Sequence, residues 1–201
     1  MVNTIIPMVH GDGYHKKGIG SEAKAHLATA ALGGALVGLV LWGVSRLVGI
    51  SGRLPASRAL WFGAALIALL YALREAGICT LPFPICRRQV PRSWSKRFSP
   101  NMASMLYGFC LGVGLFTRVT VATFYVAILV VLTLRTPVEA AIAMSVFGIG
   151  RALPLLFLER HKPDRRLAIV LSWWTPFVRM ANGMILAHCG IALLTSALGF
   201  G

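Results

Sequence analysis

The apolar positions of this chain are gathered in long runs that contain no Asp, Glu, Lys or Arg. These runs cover residues 25–45, 59–73, 98–117, 119–134 and 180–201. An α-helix needs about 20 predominantly apolar residues to cross the hydrocarbon core of a bilayer. The pattern therefore predicts an all-α, polytopic membrane protein with about five transmembrane helices.

Glycine and proline residues set the expected limits of these helices. The predicted spans cover about residues 26–49, 59–78, 103–134, 138–158 and 177–199. They form one transmembrane domain at 26–201, after a cytoplasmic tail at 1–25. The third and fourth spans are expected to be broken near Gly112–Gly114 and Gly148–Gly150, because glycine is a poor helix former.

Composition and charge distribution agree with a membrane location. The chain of 201 residues is 57% hydrophobic and 13% charged, with a mean hydropathy of +0.74. A soluble domain carries about 25% charged residues. The N-terminus lacks the basic start and the apolar stretch of a signal peptide. With five spans, most of the 20 lysines and arginines lie on the side of the N-terminus. This predicts a plasma (inner) membrane protein with a cytoplasmic N-terminus and an external C-terminus.

The net charge of +14 does not indicate nucleic-acid binding, because no aromatic-basic platform accompanies it. The basic segment CRRQVPRSWSKR, residues 86–97, is expected instead to contact anionic lipid headgroups. A homo-oligomer or a larger membrane complex is the other partner that the sequence suggests.

Two arginines, Arg118 and Arg151, lie inside predicted spans. An arginine at mid-bilayer costs at least about 2.5–3.5 kcal/mol, so such residues usually face a cavity or a partner. In one interpretation each guanidinium extends to the interface or bonds to helix carbonyls freed by a break. In the other, helix N-termini opened by the glycines help to bind a small anion. The predicted anion site consists of Arg118, Thr117, Thr120, Arg151, Gly112 and Gly114.

Three stretches, YGFCLGVGLFTRV, MSVFGIGRALPLLFL and WWTPFVRMANGMILAHCGIALLTSAL, resemble the CcdA/DsbD family of transmembrane thiol–disulfide carriers over roughly residues 100–198. In that resemblance Thr117 stands at the family's proline and Arg118 at its redox cysteine. An arginine cannot form a mixed disulfide. The predicted function is therefore transport of a small anion, and the family resemblance favours a sulfur-containing one.

Two alternatives stay open beside the transporter. The first is a CcdA-type electron carrier, and the second is an accessory or scaffold subunit of a membrane complex. An electron carrier would have to use the remaining cysteines, which are Cys110, Cys189, Cys79 and Cys86.

No metal, cofactor or enzymatic activity is expected. His10, Asp12, His15 and His26 have no defined metal-binding spacing and are assigned to a solvated tail. No nucleotide-binding loop, catalytic triad or metalloenzyme motif is present in the sequence.

Overall fold

In the computed structural model, the regular elements among the described residues are all α-helices. The structure describes residues 19–50, 54–82, 97–114, 122–160 and 165–199. The all-α part of the prediction is confirmed for these residues. The helices are α1 (Ile19–Val48), α2 (Leu54–Glu75), α3 (Pro100–Val113), α4 (Thr123–Val131), α5 (Pro137–Arg160) and α6 (Arg165–Leu198).

The prediction of five transmembrane spans is wrong. Within the described part of the chain, two segments are long and apolar enough to cross a membrane: Ala23–Val48 in α1 and Pro176–Leu198 in α6. The predicted third span is divided between α3, with 14 residues, and α4, with 9 residues. At 1.5 Å per residue, neither helix reaches the roughly 30 Å of a bilayer core. Helices α2 and α5 carry more charged residues for their length than the two qualifying segments.

The two expected glycine breaks have different outcomes. Helix α3 ends at Val113, and Gly114 follows it in the left-handed conformation, with φ 75° and its N–H bonded to the Cys110 carbonyl at 3.2 Å. Such a residue is a common helix end, because glycine has no Cβ to clash there. The break at Gly148–Gly150 is wrong, since α5 runs continuously through both positions.

The described helices belong to two compact units. The first unit contains residues 19–34 of α1, all of α3, residues 145–160 of α5 and residues 165–172 of α6. Its buried apolar cluster consists of Ala30, Leu111 and Ala152, with Leu27 packed against it.

Glycines bring the helix backbones of the first unit into direct contact. A Cβ added at Gly112 in α3 or at Gly148 in α5 would overlap the Ala30 carbonyl oxygen of α1. One added at Gly33 would lie 2.5 Å from the Phe109 carbonyl oxygen. Small residues at helix contacts allow this close approach, and the tight packing then replaces large side chains as the source of cohesion. Gly148 therefore serves helix contact, which explains why it does not open α5.

The second unit contains residues 35–48 of α1, helices α2 and α4, residues 137–144 of α5 and residues 173–198 of α6. Its buried cluster consists of Ala68, Ala72, Ala122, Val126 and Leu186. Here too glycines admit a neighbouring helix, because a Cβ at Gly38 would overlap the Ala140 carbonyl and one at Gly190 would lie 2.8 Å from the Leu69 side chain.

Side chains satisfy the carbonyl groups at the end of α4. The Ser45 hydroxyl of α1 donates to the Leu132 carbonyl. The Thr133 hydroxyl donates to the Val130 carbonyl at 2.7 Å and accepts a hydrogen bond from the Trp61 indole N–H at 2.8 Å. Terminal helix carbonyls have no partner inside their own helix, so these bonds remove the penalty of burying them.

We expect Gly148→Ala to lower the stability of the protein and Gly150→Ala to leave it unchanged or raise it. The alanine methyl at position 148 meets the backbone of α1, whereas nothing lies within 4 Å of the same position at Gly150. Overpacking costs about 1–3 kcal/mol, and glycine to alanine in an open helix position gains up to about 1 kcal/mol. Thermal unfolding of both purified variants in detergent measures the difference. Equal unfolding midpoints would show that the helices are not in backbone contact at Gly148.

Candidate functional site

His26 is the largest polar side chain buried in the first unit. It lies on the face of α1 that meets α3, and 2% of its surface is exposed. Its Nδ1 is 3.0 Å from the Ser104 carbonyl oxygen, and its ring stacks on Tyr107 with a centroid separation of 5.8 Å. A carbonyl oxygen only accepts, so Nδ1 carries the proton and Nε2 of the neutral ring is an acceptor. Among the described residues, Nε2 has no hydrogen-bond partner.

The assignment of His26 to a solvated tail is wrong. Helix α1 begins at Ile19, which places His26 two turns inside the helix rather than in front of it. Its neighbour Gly108 in α3 has no side chain, and this lets the α1 backbone at His26 approach α3 closely. The sequence signal was present but ambiguous, because Ala23, His26 and Ala30 recur at helical spacing across the start of the predicted span.

Arg151 caps the C-terminal turn of α3. Its Nη1 donates to the Leu111 carbonyl at 3.1 Å, and its guanidinium lies 5.9 Å from the centroid of the Phe147 ring. Carbonyls in the last turn of a helix lack intrahelical partners and carry partial negative charge, which favours a cation there. This bond is the one expected from the interpretation in which an arginine pairs with carbonyls freed by a helix break.

The Arg151 charge also influences its surroundings. Burial raises the pKa of the Tyr107 hydroxyl, and the nearby positive charge of Arg151 partly opposes this shift. Burial likewise lowers the pKa of Arg151, although an arginine in a protein keeps its proton. Burial raises the pKa of the Cys110 thiol, so the thiolate is disfavoured. Cys110 is therefore a packed, protonated side chain rather than an activated nucleophile.

The predicted anion-site residues are only partly covered by the structure. Gly112, Gly114 and Arg151 all lie around the C-terminal end of α3, where they serve helix packing, helix termination and capping. Thr117, Arg118 and Thr120 lie outside the described residues, so their part in a site stays a prediction.

The cysteines do not form a pair in the described part of the chain. Cys79 is partly exposed, Cys110 is buried and Cys189 is exposed, and all three are free thiols. Cys86 lies outside the described residues. Within the described ranges, no three His, Cys, Asp or Glu side chains are grouped as metal ligands would be.

An ion-pair cluster in the second unit was not foreseen from the sequence. Glu75 at the end of α2 accepts from Arg179 of α6 at 3.1 Å and from Arg74 at 3.3 Å. The Glu75 side chain is 7% exposed, while that of Arg179 is 54% exposed. Gly183 lies against the Glu75 Cβ and allows α6 to come this close. The two residues are 104 positions apart, and no local sequence pattern predicts such a contact.

Taken together, the described residues form an all-α arrangement with two candidate membrane-crossing helices. The first unit also holds a polar cluster, which consists of the buried His26 and the partly buried Tyr107 and Arg151. Comparison with known proteins shows similarity to the methylamine utilization protein MauF. The chain is 32% identical over 174 residues to MauF of Methylophilus methylotrophus. It is 30% identical over 168 residues to that of Methylobacillus flagellatus and 28% identical over 173 residues to that of Paracoccus denitrificans.

These matches cover 83–86% of this chain and 58–61% of the relatives. The chain thus spans about three fifths of the length of the curated relatives it matches. No family model matches the chain, and no solved structure does.

The relatives correct the functional predictions. The resemblance to CcdA/DsbD carriers is wrong, because the similar proteins are methylamine utilization proteins. The predicted anion transport is wrong for the same reason, as is the alternative of a thiol–disulfide carrier. The alternative of an accessory subunit of a membrane complex stays a prediction. The motifs behind the resemblance consist mostly of glycine and leucine, and the structure shows that several of these glycines serve helix contact, which unrelated helical proteins share.

We expect Arg151→Met to destabilise the protein by about 1–3 kcal/mol, because the buried Leu111 carbonyl then loses its donor. Arg135→Met is the matched control, since the Arg135 side chain is exposed and only its backbone carbonyl bonds to Trp42. A surface change of this kind stays within about 0.5 kcal/mol. Denaturant titration of the two variants and the wild type gives the free energies of unfolding. An Arg151→Met variant as stable as Arg135→Met would exclude the capping role.

Proposed function

We propose that this chain acts in methylamine utilization. The observation that carries this proposal is the similarity to MauF proteins, which extends over most of the chain and recurs in several organisms. The relatives are longer than this chain. We therefore also propose that the region they share with this chain takes part in their role. The described residues supply no catalytic constellation, and no enzymatic step is assigned to them.

The proposed location is the plasma (inner) membrane, with attachment through the apolar segments of α1 and α6. The α6 segment Pro176–Leu198 has 23 residues. At 1.5 Å per residue this is about 34 Å, enough for a bilayer core. Its exposed side chains include Phe177, Met184 and Ile191, which are 57–67% exposed. Contact with lipid would remove this apolar surface from water.

The N-terminus is proposed to lie in the cytoplasm, where the lysines that precede the α1 segment favour it. The basic segment 86–97, of which residues 86–96 lie outside the described ranges, is proposed to meet anionic lipid headgroups. The prediction of an external C-terminus required five spans, so the proposal does not include it.

The polar cluster of His26, Tyr107 and Arg151 fits a supporting role in this function. His26 bonds α1 to α3, and Arg151 bonds α5 to α3, so the two side chains join three of the helices that contribute to the first unit. Buried polar groups with defined partners favour one arrangement over alternative packings. The proposed task of the cluster is to hold the first unit in its working conformation.

Deletion of the gene for this chain from its host is expected to abolish growth on methylamine as sole carbon source. Growth on succinate should be unchanged, because that substrate bypasses methylamine oxidation. Growth rates on the two substrates are the measurement, and complementation with the wild-type gene is the control. Undiminished growth on methylamine after deletion would refute the proposed function.

A further inference from the structure

Two tryptophans of the second unit hold the chain that leaves α4 against the helices beside it. The Trp42 indole N–H of α1 donates to the Arg135 carbonyl at 3.2 Å. The Trp61 indole N–H of α2 donates to the Thr133 hydroxyl at 2.8 Å. The last turns of α1, the first turns of α2 and the end of α4 therefore meet at one place in this unit.

Three exposed arginines lie around this meeting point. The Arg46 guanidinium of α1 lies 5.8 Å from the centroid of the Trp42 ring. Arg58 precedes Trp61 by three residues in α2, so the two share one side of that helix. Arg135 is the residue whose carbonyl accepts the hydrogen bond from Trp42. These three residues, Arg46, Arg58 and Arg135, form what we call the arginine patch.

No carboxylate neutralises the arginine patch through an ion pair within the described ranges. The ion pairs formed there both involve Glu75, which lies at the opposite end of α2. The carboxylate of Glu139 in the first turn of α5 accepts from the Thr136 N–H at 3.4 Å and so caps that helix. The patch therefore presents a surplus of positive charge, and the partner that complements it is anionic.

Large apolar side chains stand directly beside these charges. Leu47 and Val48, which follow Arg46, are 89% and 66% exposed, and Val138 in the first turn of α5 is 63% exposed. A surface that alternates cations with exposed aliphatic groups is complementary to a phospholipid, which joins an anionic headgroup to apolar chains. Tryptophan is typical of that boundary, because its ring is apolar and its N–H is polar.

We propose that the arginine patch binds the headgroups of anionic phospholipids. The guanidinium groups donate to phosphate oxygens, which their forked geometry suits, and the neighbouring Leu47, Val48 and Val138 contact the acyl chains. This surface is separate from the basic segment 86–97 and adds a second headgroup contact. The binding rests on the proposed membrane location but not on the role in methylamine utilization.

Quenching of tryptophan fluorescence by brominated lipids tests the contact at the patch itself. The chain has five tryptophans, and replacing Trp94, Trp173 and Trp174 by phenylalanine leaves Trp42 and Trp61 as the reporters. The protein is titrated in nonionic detergent micelles with brominated phosphatidylglycerol or with brominated phosphatidylcholine, which has no net charge. We expect phosphatidylglycerol to reach half-maximal quenching at a mole fraction at least about fivefold lower, the factor for one basic residue at an anionic surface.

Two triple variants separate the effect of charge from that of substitution. Replacing Arg46, Arg58 and Arg135 by glutamine removes the three charges, and we expect both lipids then to quench at equal mole fractions. Replacing the same three residues by lysine is the matched control, which should keep the preference because headgroups attract both cations.

Two results with the unsubstituted patch overturn the proposal without recourse to the variants. Equal quenching by the two lipids excludes headgroup binding, and quenching by neither shows that something other than lipid covers this surface. A preference for phosphatidylglycerol that survives in the glutamine variant also overturns it. None of these results affects the role in methylamine utilization, which growth of the deletion strain tests separately.

Discussion

Direct contact between helix backbones is the constraint on which the first unit depends. The Ala30 carbonyl of α1 faces Gly112 of α3 and Gly148 of α5, so one point on α1 fixes two helices at once. No larger residue fits at either glycine without moving a backbone. The core is correspondingly made of small side chains, and dispersion contacts between close surfaces supply the cohesion that large apolar side chains give elsewhere.

Close helix packing with short helices creates buried helix ends, and the protein satisfies them with side chains. In the first unit Arg151 donates to a carbonyl in the last turn of α3. In the second unit Ser45 and Thr133 do the same for the end of α4. These donors are far from their acceptors in sequence, except Thr133. Arg151 and Ser45 therefore each link the end of one helix to the side of another, so the same bonds terminate a helix and hold two helices together.

The sequence predicted the helical class and the approximate positions of most helices, because long apolar runs without charges are typical of helices and far exceed the length of ordinary strands. It also predicted the end of α3, since a glycine in the left-handed conformation is a common helix end. The sequence could not show that Gly114 and Gly148 have different roles. A glycine can end a helix or make room for a neighbouring helix, and the outcome depends on what packs against it. The Glu75–Arg179 ion pair and the burial of His26 depend on which helices are neighbours, and no local pattern gives that information. The number of spans was overestimated because an apolar run does not show whether it forms one helix or two.

The proposed role in methylamine utilization is expected to depend on the backbone contact between α1, α3 and α5. It is tested most directly by complementing the deletion strain with Gly148→Ala and with Gly150→Ala at matched expression, and measuring growth on methylamine. We expect Gly150→Ala to restore growth to the wild-type rate and Gly148→Ala not to do so, since only the alanine at 148 meets the α1 backbone. Equal growth of the two strains would contradict it.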